Sequence, residues 1–545
     1  MIECQYHPFS PTGRKEFQVL NLKDTVIGLE FGSTRIKAVL VDKSHKPLAS
    51  GSHDWENRLV DGIWTYTIED IITGMQHCFA ELKTDVLQKY GVVLTTAGAM
   101  GISAMMHGYL PTDEEGEPLT EFRTWRNTIT GKAAAELSEL FSFNIPERWT
   151  IAHLYQAILN GEGHIGRIRH LNTLAVYIHE KLTGEFIAGI GEASGIMPVD
   201  DKTLDYSQPV IDSFDKLISG YGYPWKFIDI LPRCLPAGSF GGKLTEKGAL
   251  LLDPAGDFQP GVPFAPPEGD AGTGMAATNS IVPRTGNVSA GTSDFAMVVL
   301  DKPIKMHREI DIVATPDGKP VAMVHCNNCT SDLNAWIGLF GEFAEKAGLK
   351  MDKNALYTMM FKEALDGEPD CGGLVGFNYL SGESITGFTE GRPLLMRMPN
   401  ARLTLPNFMR EMLLSSLATL KIGLDILTVE EKVPIDCLYG HGGLFKTPVV
   451  GQKLLSAAVG APVSVMTTAG EGGPYGMALL CAYMLWKDSD ETLADYLNKR
   501  VFAGALSTTV MADESDIRGF ERFLCLYRKA LPVHQAAVAV TDKEV

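Results

Sequence analysis

The chain contains no run of about 18 consecutive apolar residues, the length a membrane-crossing helix needs, and Met1 to Leu20 carries no apolar signal core. It also lacks positive charge in excess. The formal net charge is −18, so the field around the molecule repels phosphate backbones and does not steer it onto nucleic acid. Cysteines are few and scattered: nine, from Cys4 to Cys525, show none of the paired spacing of a disulfide framework, which suits a reducing compartment. The one close pair, Cys326-Asn-Asn-Cys329, lacks the second pair a zinc site needs, and both residues read as small buried hydrophobes. These absences predict a cytoplasmic protein with no nucleic-acid and no membrane partner.

What is present is enough material for large cores. A composition of 45% apolar and 21% charged residues matches ordinary globular domains, and 545 residues exceed the roughly 250–300 that one core organises. Two domains are expected, and an internal repeat says how they are related. Thr25-Val-Ile-Gly-Leu-Glu-Phe-Gly-Ser-Thr-Arg-Ile-Lys-Ala-Val-Leu-Val-Asp42 reads as a hairpin, two β-rich runs around a small-residue turn. Gly286-Asn-Val-Ser-Ala-Gly-Thr-Ser-Asp-Phe-Ala-Met-Val-Val-Leu-Asp301 repeats that plan nearly half a chain later. Gly32 to Asp42 and Gly291 to Asp301 are equal intervals, Ser33-Thr34 matches Thr292-Ser293, and Asp42-Lys43 matches Asp301-Lys302. One duplication at half-length predicts two similar domains facing each other, with a ligand between them. Glycine lets a backbone approach closely, and successive N–H and hydroxyl groups donate to anionic oxygens. A single such turn would be an ordinary hairpin turn; the matched pair points to phosphate.

Helical periodicity covers Ile68 to Leu87, Gly131 to Phe141, Asn334 to Ala347 and Leu405 to Leu427, while Val92 to Ile102, Leu438-Tyr439 and Pro462 to Met466 read as strands. The class is α/β. A Gly/Pro-rich stretch, Pro254 to Asn279, separates the repeats, and the hinge is expected just after it. The resulting division is an N-terminal extension over 1–21, a first domain over 22–278, a second over 279–530, and a frayed tail over 531–545.

Further motifs follow in order: Gly101-Ile-Ser-Ala-Met-Met-His-Gly108, Thr124-Trp-Arg-Asn127, Leu182-Thr-Gly-Glu185 with Ala193-Ser-Gly195, Gly269-Asp270, Tyr379-Leu-Ser-Gly-Glu383, Gly440-His-Gly-Gly-Leu-Phe-Lys446 with Gln452, and Glu471-Gly-Gly-Pro-Tyr-Gly-Met-Ala478. Together with the two turns they resemble the FGGY carbohydrate kinases, a branch of the actin, Hsp70 and hexokinase superfamily, from about Thr25 onward. The resemblance implies two actin-like (ribonuclease H-like) ATPase domains with a cleft between them, using ATP and Mg²⁺ on a small-molecule sugar. It implies Asp270 as the base that takes the proton of the attacking sugar hydroxyl, a role a carboxylate suits because phosphoryl transfer demands mainly positioning and charge stabilisation. Gly32, Ser33 and Thr34 would grip the phosphates from one side and Gly291, Thr292 and Ser293 from the other, with Mg²⁺ near Glu30 and Asp270, partly through water. Gly442, Gly443 and Leu444 match the turn under the adenine ring, with Lys446 in the same motif; Lys446 and Gln452 also read as plain surface residues. Met106, His107, Trp125, Arg126 and Asn127 match the sugar contacts.

Two departures stand out. Glu30 occupies a position where most of the family has aspartate, and Gly189-Ile-Gly-Glu-Ala-Ser194 replaces the Thr-Asp-x-Ser-x-Ala-Ser of many xylulose kinases. The expected acceptor is a ketopentose such as ribulose or xylulose, with Gly442-Gly-Leu444 leaning toward ribulose kinases. A kinase for another ketose, a deoxyhexulose or a polyol stays open, as do a non-catalytic sugar- or nucleotide-binding paralogue and a monomer or homodimer. An actin-like or chaperone-like ATPase is disfavoured by the sugar-type motifs.

Overall fold

A computed structural model describes residues 20–466 and 472–540. The extension before Leu20, Glu471 of the last motif and residues 541–545 lie outside the described residues. The first repeat is a hairpin: β1 (Thr25–Phe31) and β2 (Arg35–Asp42) run antiparallel, Thr25 opposite Asp42 and Phe31 opposite Ile36, with Gly32 to Thr34 at the tip. β3 (Pro47–Asp54) continues antiparallel from β2. On the other side β4 (Ala99–Ala104) runs parallel to β1, and the short β5 (Glu268–Gly269) parallel to β4. The second repeat builds its sheet on the same plan. β6 (Thr285–Ala290) and β7 (Asp294–Val299) form the hairpin, and β8 (Asp311–Ala314) and β9 (Pro320–Cys326) extend it beyond β7. β10 (Cys437–His441), β11 (Val463–Met466) and β12 (Ser507–Val510) extend it beyond β6. The orders are β5-β4-β1-β2-β3 and β8-β9-β7-β6-β10-β11-β12.

Strand alternation decides what each side of β1 touches. Ile27, Leu29 and Phe31 face one core, shared with α1 (Ile68–Tyr90). The Thr67 side chain caps that helix by accepting the Asp70 N–H at 3.0 Å, and Gly91 ends it with a φ of 67°. Its Ile71, Met75, Phe79, Leu82 and Val86 recur at helical spacing and are buried, each contributing ~1.5–3 kcal/mol of burial. Val26, Gly28 and Glu30 point the other way, toward α4, described below.

Between the sheets runs α2 (Asp270–Ala277), inside the Gly/Pro-rich stretch that separates the repeats. The second half has its own core around α3 (Leu405–Asp425), which is capped by Thr404 and buried on nearly all sides. By length and composition that helix is apolar enough to cross a membrane, but here the second sheet and its helices cover it. α4 (Gly472–Trp486) follows in sequence and leaves this body: it packs on β1, β4 and α2. A Cβ at Gly28 would lie 1.9 Å from the Pro474 carbonyl oxygen, and one at Gly476 would lie 1.9 Å from that of Thr273. The motif glycines permit this approach of backbones. Tyr475, Met477, Tyr496 and Leu497 consequently join the core of Val26, Ala99 and Met275, and the Tyr496 hydroxyl meets His45 Nε2 at 2.7 Å. The span 279–530 is thus not one body in space.

Other expectations are corrected more locally. Val92 to Gly98 is not strand; β4 begins at Ala99. The chain after Leu531 does not fray at once, because α5 (Glu514–Val538) continues through it with His534 fully buried.

Candidate active site

Glu30 and Asp270 come together where β1 and the start of α2 meet. Glu30 lies on the α4 face of β1, so close to Gly473 that a Cβ there would fall 2.0 Å from its carboxylate oxygen. Burial and the neighbouring charge of Asp270 push its pKa up to about 7, with Lys37 pulling the other way. Asp270 is the first residue of α2, where the helix dipole favours an anion. The Met106 N–H donates to its Oδ1 at 3.2 Å. Burial still wins, raising Asp270 to about 6 against the backbone hydrogen bonds that lower it. Behind it lie two more buried carboxyls the motifs did not flag as a group. Glu268 accepts the Glu192 N–H at 2.9 Å and is raised by burial to about 8; burial holds Glu192 well above the carboxylate range.

The sugar motif forms the adjoining wall. His107 and Gly108 both have positive φ, 72° and 91°, a costly conformation for histidine that turns its ring against Trp149, centroids 6.0 Å apart. Its Nδ1 lies 3.3 Å from the Gly195 carbonyl oxygen, tying the Met-His-Gly and Ala-Ser-Gly motifs together. Burial, followed by the charge of Arg148, keeps the imidazole neutral. Met106 is buried beside it. Trp125 is half-buried, and its Nε1–H donates to Ser33 Oγ at 3.1 Å, joining the Thr-Trp-Arg-Asn motif to the first hairpin turn. Arg126 is exposed and lies 4.0 Å over the Trp64 ring.

Asn127 does not belong to this wall. It is 1% exposed; its Oδ1 accepts the Trp64 N–H at 2.8 Å, and its Nδ2 donates to the carbonyls of Trp64 and Thr124. Its hydrogen bonds are spent on the backbone that holds Trp125 and Arg126, so it is a positioning residue.

Thr34 and Thr292 are exposed at the two hairpin tips, with Ser33 and Ser293 partly so. Gly32 is held by its N–H to the Arg35 carbonyl at 3.1 Å. Gly291 is held through its carbonyl, which accepts from Thr330, and a Cβ there would meet nothing within 4 Å. On the second sheet Gly442 needs to be glycine: its φ is 96° and a Cβ would lie 2.5 Å from the Ala290 carbonyl oxygen. A Cβ at Gly443 would meet only the Ala290 carbonyl oxygen, at an unstrained 3.9 Å, leaving a flat surface of the kind a purine needs. Leu444 is corrected: its side chain is wholly buried in the second core, so only its backbone borders that surface. Lys446 is exposed. Gln452 is not a surface residue, since its buried amide donates to the Val463 and Thr508 carbonyls and ties β11 to β12.

Two cleft residues escaped the sequence reading. Arg148 pairs with Asp311 of β8 across the two halves, and His325 of β9 meets Trp125 edge-on at 6.3 Å. No motif contains either; the only signal was a lone histidine in the apolar run Val321 to Cys326.

Comparison with known proteins agrees with this architecture. Residues 25–270 match the N-terminal domain of the FGGY family of carbohydrate kinases, and residues 286–485 match its C-terminal domain. A xylulose kinase of Haemophilus influenzae is 22% identical over 420 residues, 73% of this chain and 79% of that protein. The solved ligand-bound xylulose kinase of Lactobacillus acidophilus superposes with a TM-score of 0.75 at 16% identity, covering 94% of this chain and 98% of that one. A gluconate kinase of Lactobacillus acidophilus does so with 0.75 at 16%, covering 93% and 98%. Plasmodium falciparum glycerol kinase with ADP follows with 0.71 at 14%, covering 94% and 98%.

Proposed function

The chain belongs to the FGGY family of carbohydrate kinases, and from that premise we propose that it moves the terminal phosphoryl group of ATP to a hydroxyl of a neutral ketose, of the ketopentose class, with Asp270 as base. The observation that carries this reading is the placement of Asp270. It stands at a helix N-terminus, held by the Met106 N–H next to His107 and near enough to Glu30 of β1 to act on it, with a pKa raised to about 6 by burial. Such a carboxyl is charged at neutral pH yet basic enough to accept a proton. The acceptor oxygen attacks the γ-phosphorus, its proton passes to Asp270, and ADP departs with the electrons of the broken bond to the bridging oxygen.

Ser33, Thr34, Thr292 and Ser293 hold the phosphates through hydroxyls and backbone N–H groups, in line with a reaction that depends on positioning and charge stabilisation. Gly442 and Gly443 leave a flat seat for the adenine. Two buried carboxyls side by side, each raised, are what a divalent cation relieves, so Glu30 and Asp270 fit Mg²⁺, which binds through one or two carboxylates plus waters and phosphates. When bound it neutralises phosphate charge.

A neutral acceptor follows from the lining. Glu30 and Asp270 line one side with Glu192 and Glu268 behind them, Lys37 acts on Glu30, and Arg148 is already paired with Asp311. An aldonate, the acceptor named for the gluconate kinase relative, would set its carboxylate beside the charged Asp270 with no unpaired cation placed to receive it. Coupled ADP release with D-ribulose, D-xylulose, ribitol, glycerol and gluconate tests this, with a ketopentose expected to lead. Asp270→Asn should keep ATP binding and lower kcat by roughly 10²- to 10⁴-fold; near-normal turnover in the folded variant would remove Asp270 from the mechanism.

A further inference from the structure

His325 is supplied by the second half, yet its ring lies against the sugar wall of the first. It stands on β9 opposite Phe295, and so two residues past the Thr292-Ser293 turn. Its imidazole is 6.5 Å from the Phe295 ring, nearly parallel, and 6.3 Å from Trp125, edge to face. Trp125 is itself bound to Ser33 of the first turn. The charge of Arg148 reaches both His325 and His107, and His325 in turn acts on His107, so the two imidazoles share one corner of the cleft. Both ring nitrogens of His325 lack a hydrogen-bond partner among the described residues, in a ring that is neither fully buried nor free in solvent.

We infer that His325 is a specificity-determining contact to the sugar, donated by the nucleotide-binding half, so that the acceptor pocket is complete only when both halves are in place. This rests on the kinase reading above. Burial lowers the imidazole to about 3, so at neutral pH one ring nitrogen donates and the other accepts. That pair matches a hydroxyl, which does both, and is a poor counter-ion for phosphate. A ketose held between His107 and His325 would present hydroxyls to two neutral imidazoles and C–H groups to the Trp125 face. An acceptor too short to reach His325, such as glycerol, forgoes that hydrogen bond, and a site built to bond a substrate hydroxyl favours the acceptor that supplies it.

Steady-state kinetics of the full chain with D-ribulose and D-xylulose, on the wild type, His325→Phe and His325→Gln, test it, with ADP affinity measured by calorimetry. His325→Phe keeps the ring against Trp125 and Phe295 but removes both polar atoms. It should raise the sugar KM about five- to thirteenfold, as loss of a hydrogen bond worth ~1–1.5 kcal/mol implies, with ATP KM and ADP affinity within about twofold. His325→Gln, which can still donate and accept, should recover most of the loss. An unchanged sugar KM in His325→Phe overturns the inference while leaving the kinase reading intact. A rise in ATP KM that matches the sugar effect overturns it too, assigning His325 to the phosphates. A wild type that phosphorylates neither ketopentose nor any other acceptor overturns both.

Discussion

Glu30 is one of two places at which the family resemblance implies a different residue, and the local geometry gives its longer side chain room. Strand alternation sends it toward α4, where Gly473 leaves the space its carboxylate occupies. Glu30 and Asp270 titrate as a pair, both raised, so their charged forms are lost first as pH falls. At limiting Mg²⁺, kcat/KM should therefore decline as pH drops through about 7 and about 6. Saturating Mg²⁺ should move that limb to lower pH, since a bound cation favours the charged carboxylates. Glu30→Gln removes the upper titration and should leave the limb near 6, because burial alone raises Asp270. It should also weaken Mg²⁺ dependence and kcat together, with Glu30→Asp milder. Rate against pH and Mg²⁺ for the three proteins checks this; a Glu30→Gln variant identical to wild type at every Mg²⁺ concentration would make Glu30 a plain strand residue.

At the scale of elements, the glycines of the last motif act through packing more than through ligand contact. α4 can lie on β1 and α2 only because Gly28 and Gly476 bring backbones together. Gly476→Ala places a methyl against the fixed Thr273 carbonyl, which cannot swing aside as a side chain would. The expected cost is ~1–3 kcal/mol of stability, the usual range for overpacking, read as a lower denaturant midpoint. Because Thr273 belongs to α2, whose first residue is Asp270, kcat should fall as well. Gly443→Ala, where a methyl would meet only the Ala290 carbonyl oxygen at an unstrained 3.9 Å, should leave the midpoint unchanged and raise only the ATP KM. The hairpins at the two tips were legible from sequence because a strand, a glycine-hydroxyl turn and a second strand are all local. The course of α4 was not, since nothing within Gly472 to Trp486 says which sheet it will cover.

For the molecule as a whole, the two halves already touch along one edge. Asn144 Nδ2 donates to Ile310 O and Asp311 Oδ1, both at 3.0 Å, Arg148 pairs with Asp311, and the Ala314 N–H donates to Ser194 Oγ at 2.9 Å. Relative motion of the halves should open and close the cleft between them, and closure would exclude water from the reacting groups. Small-angle scattering should show a smaller radius of gyration with D-xylulose and a non-hydrolysable ATP analogue together than with either alone; equal values in all states would count against hinge closure.

What the sequence determined by itself was whatever is written in contiguous residues. That covers the duplicated hairpin, the α/β class, the family motifs, and α1 and α3 from their periodicity. What only the tertiary structure decided was which of those residues face one another. Asn127 sits within a sugar motif but spends its hydrogen bonds on Trp64 and Thr124, while His325, in no motif, reaches Trp125 from the other half. Leu444 turns into a core and Gln452 into a strand joint. The physical reason is that propensity, periodicity and turn chemistry act over a few residues, whereas burial, pKa and hydrogen-bond pairing depend on neighbours hundreds of positions away, as where Glu30 meets Asp270 and Gly473.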